Sequence, residues 1–318
     1  MLDGARARAV DLGYAAGWRG LQAVPEVVAA RAFQAAADAA TVRNGGGARQ
    51  LRRNLRRVVG PAVSELTLDA IVGDALRSYS RYWLETFRLP KMDHRYVARR
   101  AEQNTIGIEH VDAAMSRGKG MILALPHMGN YDVAGIWLVH HGVPFTTVAE
   151  RLKPESLFDR FVAYRQSLGM EVLALTGGQR PPADVLADRL RRGGAVCLVA
   201  DRDLSRAGVE VQFFGEPTRM PGGPAHLAAT TGAVLLPVSL WYTPDGWGQR
   251  INPPIELPAA GLREQVTVGT QALADVFARE IADHPVDWHM LQRLWLSDLP
   301  PRPSDGRRQP RPDELAAR

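Results

Sequence analysis

The sequence predicts an α/β protein: a central, mostly parallel (mixed) sheet flanked by helices, with amphipathic helices leading in from the N-terminal side. From about residue 105 onward, short apolar runs alternate with helical patterns at the spacing of strand–helix–strand units. The chain has 318 residues, 46% of them hydrophobic, which is enough for a sizeable core. Polar residues also recur just past successive apolar runs, where an open sheet gathers its functional groups.

Taken in order, residues 10–40 are alanine-rich and helical, with Trp18, Leu21, Val24, Val27, Val28 and Phe33 as apolar points, until Asn-Gly-Gly-Gly at 44–47 breaks the pattern. Residues 49–59 are sharply amphipathic. Leu51, Leu55, Val58 and Val59 share one face, and Arg49, Arg52, Arg53, Arg56 and Arg57 cover the other. Such a helix suits an anionic membrane surface; it equally suits an ordinary surface helix with its stripe on the core. A further helix over 75–87 carries Leu76, Tyr79, Trp83 and Phe87 on one side. Strands are expected near 121–125, 145–149, 171–175, 195–200, 209–214 and 234–239, and helices near 109–117, 131–140, 154–168, 181–192, 222–231 and 264–282. Residues 300–318, rich in Pro, Arg and Asp, read as a disordered tail. The organisation expected is membrane-docking helices over 1–60, one α/β domain over 61–299, and that tail.

Charge is unevenly placed. Residues 1–60 hold 10 arginines and 4 acids, whereas the remainder is nearly balanced. No run approaches about 18 apolar residues, so no transmembrane helix is expected, and no signal-peptide core opens the chain. The single cysteine, Cys197, lies in an apolar run and reads as a buried structural thiol. His140–His141 and His284/His289 lack the partners of a metal site, so no metal is expected. No nucleic-acid motif accompanies the basic segment, and nucleic acid is not expected as a partner. Phosphate loop, dinucleotide glycine motif and serine-nucleophile elbow are all missing from the sequence.

The stretch 121–135 carries the most chemistry. An apolar strand runs into Pro126–His127, a glycine turn and Asp132. In a continuous helix those two side chains would stand about 140° apart. Pro126 disfavours helix for the residue before it and Gly129 permits a tight turn. His127 is therefore expected on the loop, with Asp132 folding back from the first helical turn to one ring nitrogen. An imidazole so held can take a proton from a bound alcohol. Glu150 follows the next strand, and Asp201, Arg202 and Asp203 follow the run 195–200, so these carboxylates are candidates to converge on His127. Arg165, Arg206 and Arg219 are candidates for phosphate groups of a substrate or of coenzyme A.

Several blocks look familiar: Leu-Pro-His-Met-Gly-Asn-Tyr-Asp at 125–132, Ala-Glu-Arg at 149–151, residues 158–165, and Ala-Asp-Arg-Asp at 200–203. Val-Gln-Phe-Phe-Gly-Glu-Pro at 211–217, Met-Pro-Gly-Gly at 220–223 and residues 288–295 follow in the same order. With these the chain resembles the lysophospholipid acyltransferase superfamily, in its lipid A biosynthesis acyltransferase branch, and within it the actinobacterial phosphatidylinositol mannoside acyltransferases. The resemblance implies transfer of a long, palmitoyl-type acyl group from acyl-CoA to a mannose hydroxyl of a phosphatidylinositol mannoside. The enzyme would sit peripherally on the cytoplasmic face of the plasma membrane and need no cofactor beyond its acyl-CoA co-substrate. It implies His127 as general base, Asp132 completing the relay and Asp201 assisting. Arg165 and Arg206 would contact acyl-CoA with Glu150 nearby, and Asn130, Arg202 and Asp203 would complete the substrate contacts. A Phe-Pro-Glu-Gly block is missing, which favours a glycolipid over glycerol 3-phosphate as acceptor. Another lipid acceptor, or a non-enzymatic membrane-surface module driven by residues 1–60, are the alternatives.

Overall fold

Pro25 cannot continue a helix across its own missing N–H, so the alanine-rich stretch starts afresh after it. In the computed structural model, which describes residues 20–150, 155–203 and 207–299, helix α1 spans Glu26–Arg43. It closes on Asn44 in the left-handed region (φ 46°), whose amide returns to Ala40 O and Thr41 O. Helix α2 follows over Gly46–Val59 and α3 over Glu65–Arg88. The Ser64 hydroxyl caps α3 by accepting the Thr67 N–H, so the helix expected at 75–87 is the second half of a longer one.

The stripe of α2 turns inward. Leu51 and Leu55 are wholly buried against Leu68, Val72 and Leu76 of α3. Its basic face is largely engaged with the protein itself: Arg52 pairs with Glu65 and Asp69, Arg56 with Glu65, and Arg57 with Glu216 and Asp298. Arg57 also lies 4.5 Å over the Trp295 ring. The apolar stripe of this segment therefore packs on the core, which leaves membrane docking of the entry segment as a compatible expectation. The start of the helix expected at 10–40 and the tail expected at 300–318 lie outside the described residues.

After α4 (His94–Glu102), the short strand β1 (Thr105–Ile106) and α5 (Ile108–Ser116), the central sheet begins. Strand β2 (Met121–Leu125) is buried at all five positions, as a central strand covered on both faces must be. Then come α6 (Tyr131–His140), β3 (Phe145–Ala149), α7 (Glu155–Ser167), β4 (Glu171–Ala174), α8 (Pro182–Arg191) and β5 (Ala195–Val199). A hairpin of β6 (Val209–Phe213) and β7 (Glu216–Met220) leads to α9 (Gly223–Thr231), β8 (Val234–Thr243), β9 (Gly246–Ile251) and α10 (Leu262–Asp283). The seven-stranded sheet has the order β1-β9-β8-β2-β5-β3-β4. Only the β8–β9 pairing in it is antiparallel.

The strand at 209–214 does not join the central sheet; Gly215 (φ 77°) turns it back into an antiparallel pair with β7. Strand β9 was not foreseen, because glycines dilute its apolar pattern. Gly248 is needed there, since a Cβ would stand 2.2 Å from the Trp241 ring.

The connections β2→β3→β4 run one way across the sheet and β4→β5→β8 the other. Right-handed crossovers therefore put α6 and α7 on one face and α8 and α9 on the opposite one. The reversal falls between β2 and β5, and a crevice opens at their carboxyl ends.

Candidate active site

Leu125 ends β2, and Gly129 (φ 54°) turns the chain so tightly that a Cβ there would lie 2.7 Å from Leu240 Cβ. Asn130 then caps α6, its Oδ1 accepting the N–H groups of Asp132 and Val133 at 3.1 Å each. Its Nδ2 donates to Glu85 Oε2 at 2.6 Å, and Trp247 Nε1 donates to the same oxygen at 2.8 Å. Asn130 is buried and serves as the start of the helix.

His127 stands on the loop, as expected, but its carboxylate partner is Asp201. The His127 Nδ1 to Asp201 Oδ1 distance is 2.5 Å, and the His127 backbone N–H donates to Asp201 Oδ2 at 2.9 Å. Trp288 Nε1 donates to Oδ2 as well, at 3.0 Å. Asp201 is wholly buried. Burial pushes its carboxyl up, and the His127 charge with the bonds from His127 and Trp288 outweighs this, holding it below the usual carboxylate range. With Nδ1–H committed to Asp201, Nε2 carries the lone pair and can accept a proton from a hydroxyl.

Asp132 does not fold back to the imidazole. The Asn130 cap starts the helix at Tyr131, and this aims Asp132 at α7, where Arg165 Nε donates to its Oδ1 at 2.9 Å and the Tyr164 hydroxyl to its Oδ2 at 3.3 Å. The pair is buried. Burial would push the Arg165 guanidinium down, and Asp132 beside it holds it well above its ordinary range. Arg165 also lies over the Tyr131 ring at 5.6 Å. Asp132 thus ties α6 to α7, and the ring nitrogen it was expected to reach is held by Asp201 instead.

Glu150 and Arg202 face each other at 3.6 Å, both on the wall of the cavity described below. Asp203 also lines that cavity and accepts the Gly208 N–H at 2.7 Å. Arg206 lies outside the described residues. Arg219 pairs with Glu210 within the hairpin. Cys197 lines the cavity too, and burial pushes its thiol far up, as a structural thiol requires.

Sequence reasoning singled out residues 288–295 as a block of resemblance but not the role of 287–289, which braces the histidine loop from the far end of the chain. Gly129 N–H donates to Asp287 O and His289 N–H to His127 O, both at 2.8 Å, while Met128 and Trp288 form an antiparallel bridge. Ser78 on α3 anchors this segment, its hydroxyl 2.7 Å from Asp287 Oδ1 and 2.9 Å from His289 Nε2. No periodicity marks such a brace; two tryptophans, Trp288 and Trp295, close together in a short segment were the only cue.

A cavity of about 890 Å³ opens beside His127. Its walls are mainly apolar, among them Leu123, Phe145, Phe161 and Val199, and its polar groups include His127, Glu150, Arg165 and Arg202. A base held by a buried carboxylate therefore faces space suited to a long apolar chain. Among the described residues no helix is long and apolar enough to cross a membrane.

Residues 6–297 match the family described as bacterial lipid A biosynthesis acyltransferase. A phosphatidylinositol mannoside acyltransferase of Mycolicibacterium smegmatis is 56% identical over 299 residues, covering 94% of each chain. One of Mycobacterium tuberculosis is 53% identical, covering 92% of this chain and 90% of its own. A lipid A biosynthesis acyltransferase of Haemophilus influenzae is 28% identical over 134 residues, 42% of this chain and 41% of its own.

Proposed function

The chain belongs to the bacterial lipid A biosynthesis acyltransferase family, and on that premise we propose that it moves a long, palmitoyl-type acyl group from acyl-CoA to a mannose hydroxyl of a phosphatidylinositol mannoside. The acceptor is the one that the two mycobacterial relatives are named for. The observation that carries the mechanism is the His127–Asp201 pair beside the large apolar cavity. The acceptor hydroxyl gives its proton to His127 Nε2 as its oxygen attacks the thioester carbonyl. Collapse of the tetrahedral intermediate expels the CoA sulfur, which takes that proton back from the imidazolium. Asp201 fixes the tautomer and stabilises the imidazolium between the two steps.

Arg165 and Arg202 stand on the cavity wall, each already paired with a carboxylate, and offer their remaining N–H groups to the phosphates of the donor. The Gly129 amide is already given to Asp287 O, so the oxyanion takes its donors elsewhere. A lipid acceptor and an acyl-CoA donor together fit a peripheral enzyme on the cytoplasmic face of the plasma membrane. The test is His127→Ala, which should stay folded and lose transfer of a labelled palmitoyl group to the purified mannoside. Near-wild-type transfer overturns the mechanism. Release of free fatty acid that is equally fast with and without acceptor points to a hydrolase instead.

A further inference from the structure

The cavity has a depth, and its far end can be placed from the register of the sheet. Phe145 pairs with Ala195, and Ala195 with Met121, so Phe145 is level with the start of β2 at the amino end of the sheet. His127 lies six residues further along than Met121, roughly 20 Å away at the rise of a strand. Leu125 and Val199 line the cavity near His127, Leu123 and Cys197 line it one step below, and Phe145 lines it at the far end. Met170 belongs to the same far end, because it immediately precedes Glu171, which pairs with Thr146. Helix α6 runs back along the strands from Tyr131, and Gly135 sits one turn down it, also on the cavity wall.

Gly135 is a glycine inside a buried helix, where alanine would be the more stable residue. Its packing gives the reason. A Cβ there would lie 2.4 Å from Met170 Cε and 3.0 Å from Phe145 Cζ. The tip of the methionine and the edge of the ring rest on bare backbone, and both side chains are buried. An unbranched thioether can swing when its seat is filled, and the space beside it is the cavity.

We propose that Met170, seated on Gly135 and flanked by Phe145, is the floor of the acyl-chain cavity and sets the longest chain the protein accepts. This rests on the reading that the cavity holds the acyl group. A side chain at 135 lifts Met170 into the cavity and shortens it. Truncating Met170 removes the floor and lengthens it. Each methylene that gains or loses its apolar surroundings changes binding by about fourfold.

The full chain, Gly135→Ala and Met170→Ala are compared with saturated thioesters from dodecanoyl- to eicosanoyl-CoA, in direct binding and in transfer to the mannoside. Met170→Ala should raise the preference for chains two carbons longer by about fifteenfold, and Gly135→Ala should shift it the other way. If all three bind and transfer with one length profile, the floor is overturned and the acyltransferase reading survives. If the profiles shift in binding but nothing reaches the mannoside, the floor stands and the acceptor assignment falls. If no long-chain thioester binds the wild type, both fall. Should Gly135→Ala not fold, Met170→Ala alone decides, since it removes a side chain and adds none.

Discussion

His127 and Asp201 each lie two residues past the last paired rung of two neighbouring parallel strands, Leu125 with Val199. The backbone thus delivers the imidazole and the carboxylate side by side, and Asp201 accepts both the ring and the backbone N–H of His127. Asp201→Asn keeps the shape but can present an amide N–H to Nδ1, favouring the tautomer with its proton on Nε2. Transfer should fall by about 10³–10⁴-fold with little change in KM, measured at saturating donor. A loss under tenfold would detach Asp201 from the chemistry.

The Asp132–Arg165 pair predicts a different phenotype. It is buried and does not touch the imidazole. Removing one partner leaves a buried charge uncompensated, so Asp132→Asn should lose about 3–5 kcal/mol of stability in denaturant unfolding. Replacing both, with Arg165→Met added, should recover most of that loss. If Asp132→Asn is as stable as wild type and as inactive as Asp201→Asn, the relay first expected from the sequence is the better account.

Trp288 positions Asp201 without reaching the cavity. Its indole N–H shares Oδ2 with the His127 amide. Trp288→Phe removes one stabilising bond from the carboxylate, making it a stronger partner for the imidazolium. The acid limb of kcat/KM should therefore move to higher pH, by up to about one unit. A merely loosened loop would lower the rate at every pH and leave the limb in place.

The strands that carry the site were legible because β2 and β5 are continuous apolar runs and β3 is β-branched through Thr146, Thr147 and Val148, and His127 was placed by the proline and glycine around it. Its partner was legible only as one of several candidate carboxylates. Asp132 is near in sequence, whereas Asp201 becomes near only once β5 lies beside β2, and strand order is a tertiary fact. The equal offset of His127 and Asp201 past their strands was the one usable signal. The places of Asn130 and Asp132 have a common cause: a helix start consumes an amide side chain as its cap and aims the next acid away from the loop. The brace at 287–289 comes from more than 150 residues downstream and has no local pattern.

Helix α2 gives a test of membrane docking. Leu55 is wholly buried in the cluster with Leu68 and Leu76, so Leu55→Ala should cost about 2–5 kcal/mol of stability. Binding of the folded protein to anionic vesicles should be unchanged. A variant of full stability that no longer binds vesicles would return the stripe to the membrane.

His289 makes stability depend on pH. Burial, followed by the charge of His127, pushes its imidazole from 6.5 down to about 3. The Ser78 hydroxyl gives its proton to Asp287 and accepts from His289 Nε2, which holds the neutral ring in place. As pH falls below 6.5 the unfolded chain takes up a proton that the folded chain refuses until about pH 3. This contribution is complete above 6.5 and is lost at about 1.4 kcal/mol per unit on the way down. Asp287, whose carboxyl burial pushes up, is present in both proteins and cancels in the comparison. His289→Gln, which can still donate to Ser78, should therefore lose less stability than wild type between about pH 6.5 and 4.5, read from urea midpoints. Parallel losses in the two proteins would mean that His289 is protonated in the folded state and that the brace tolerates its charge.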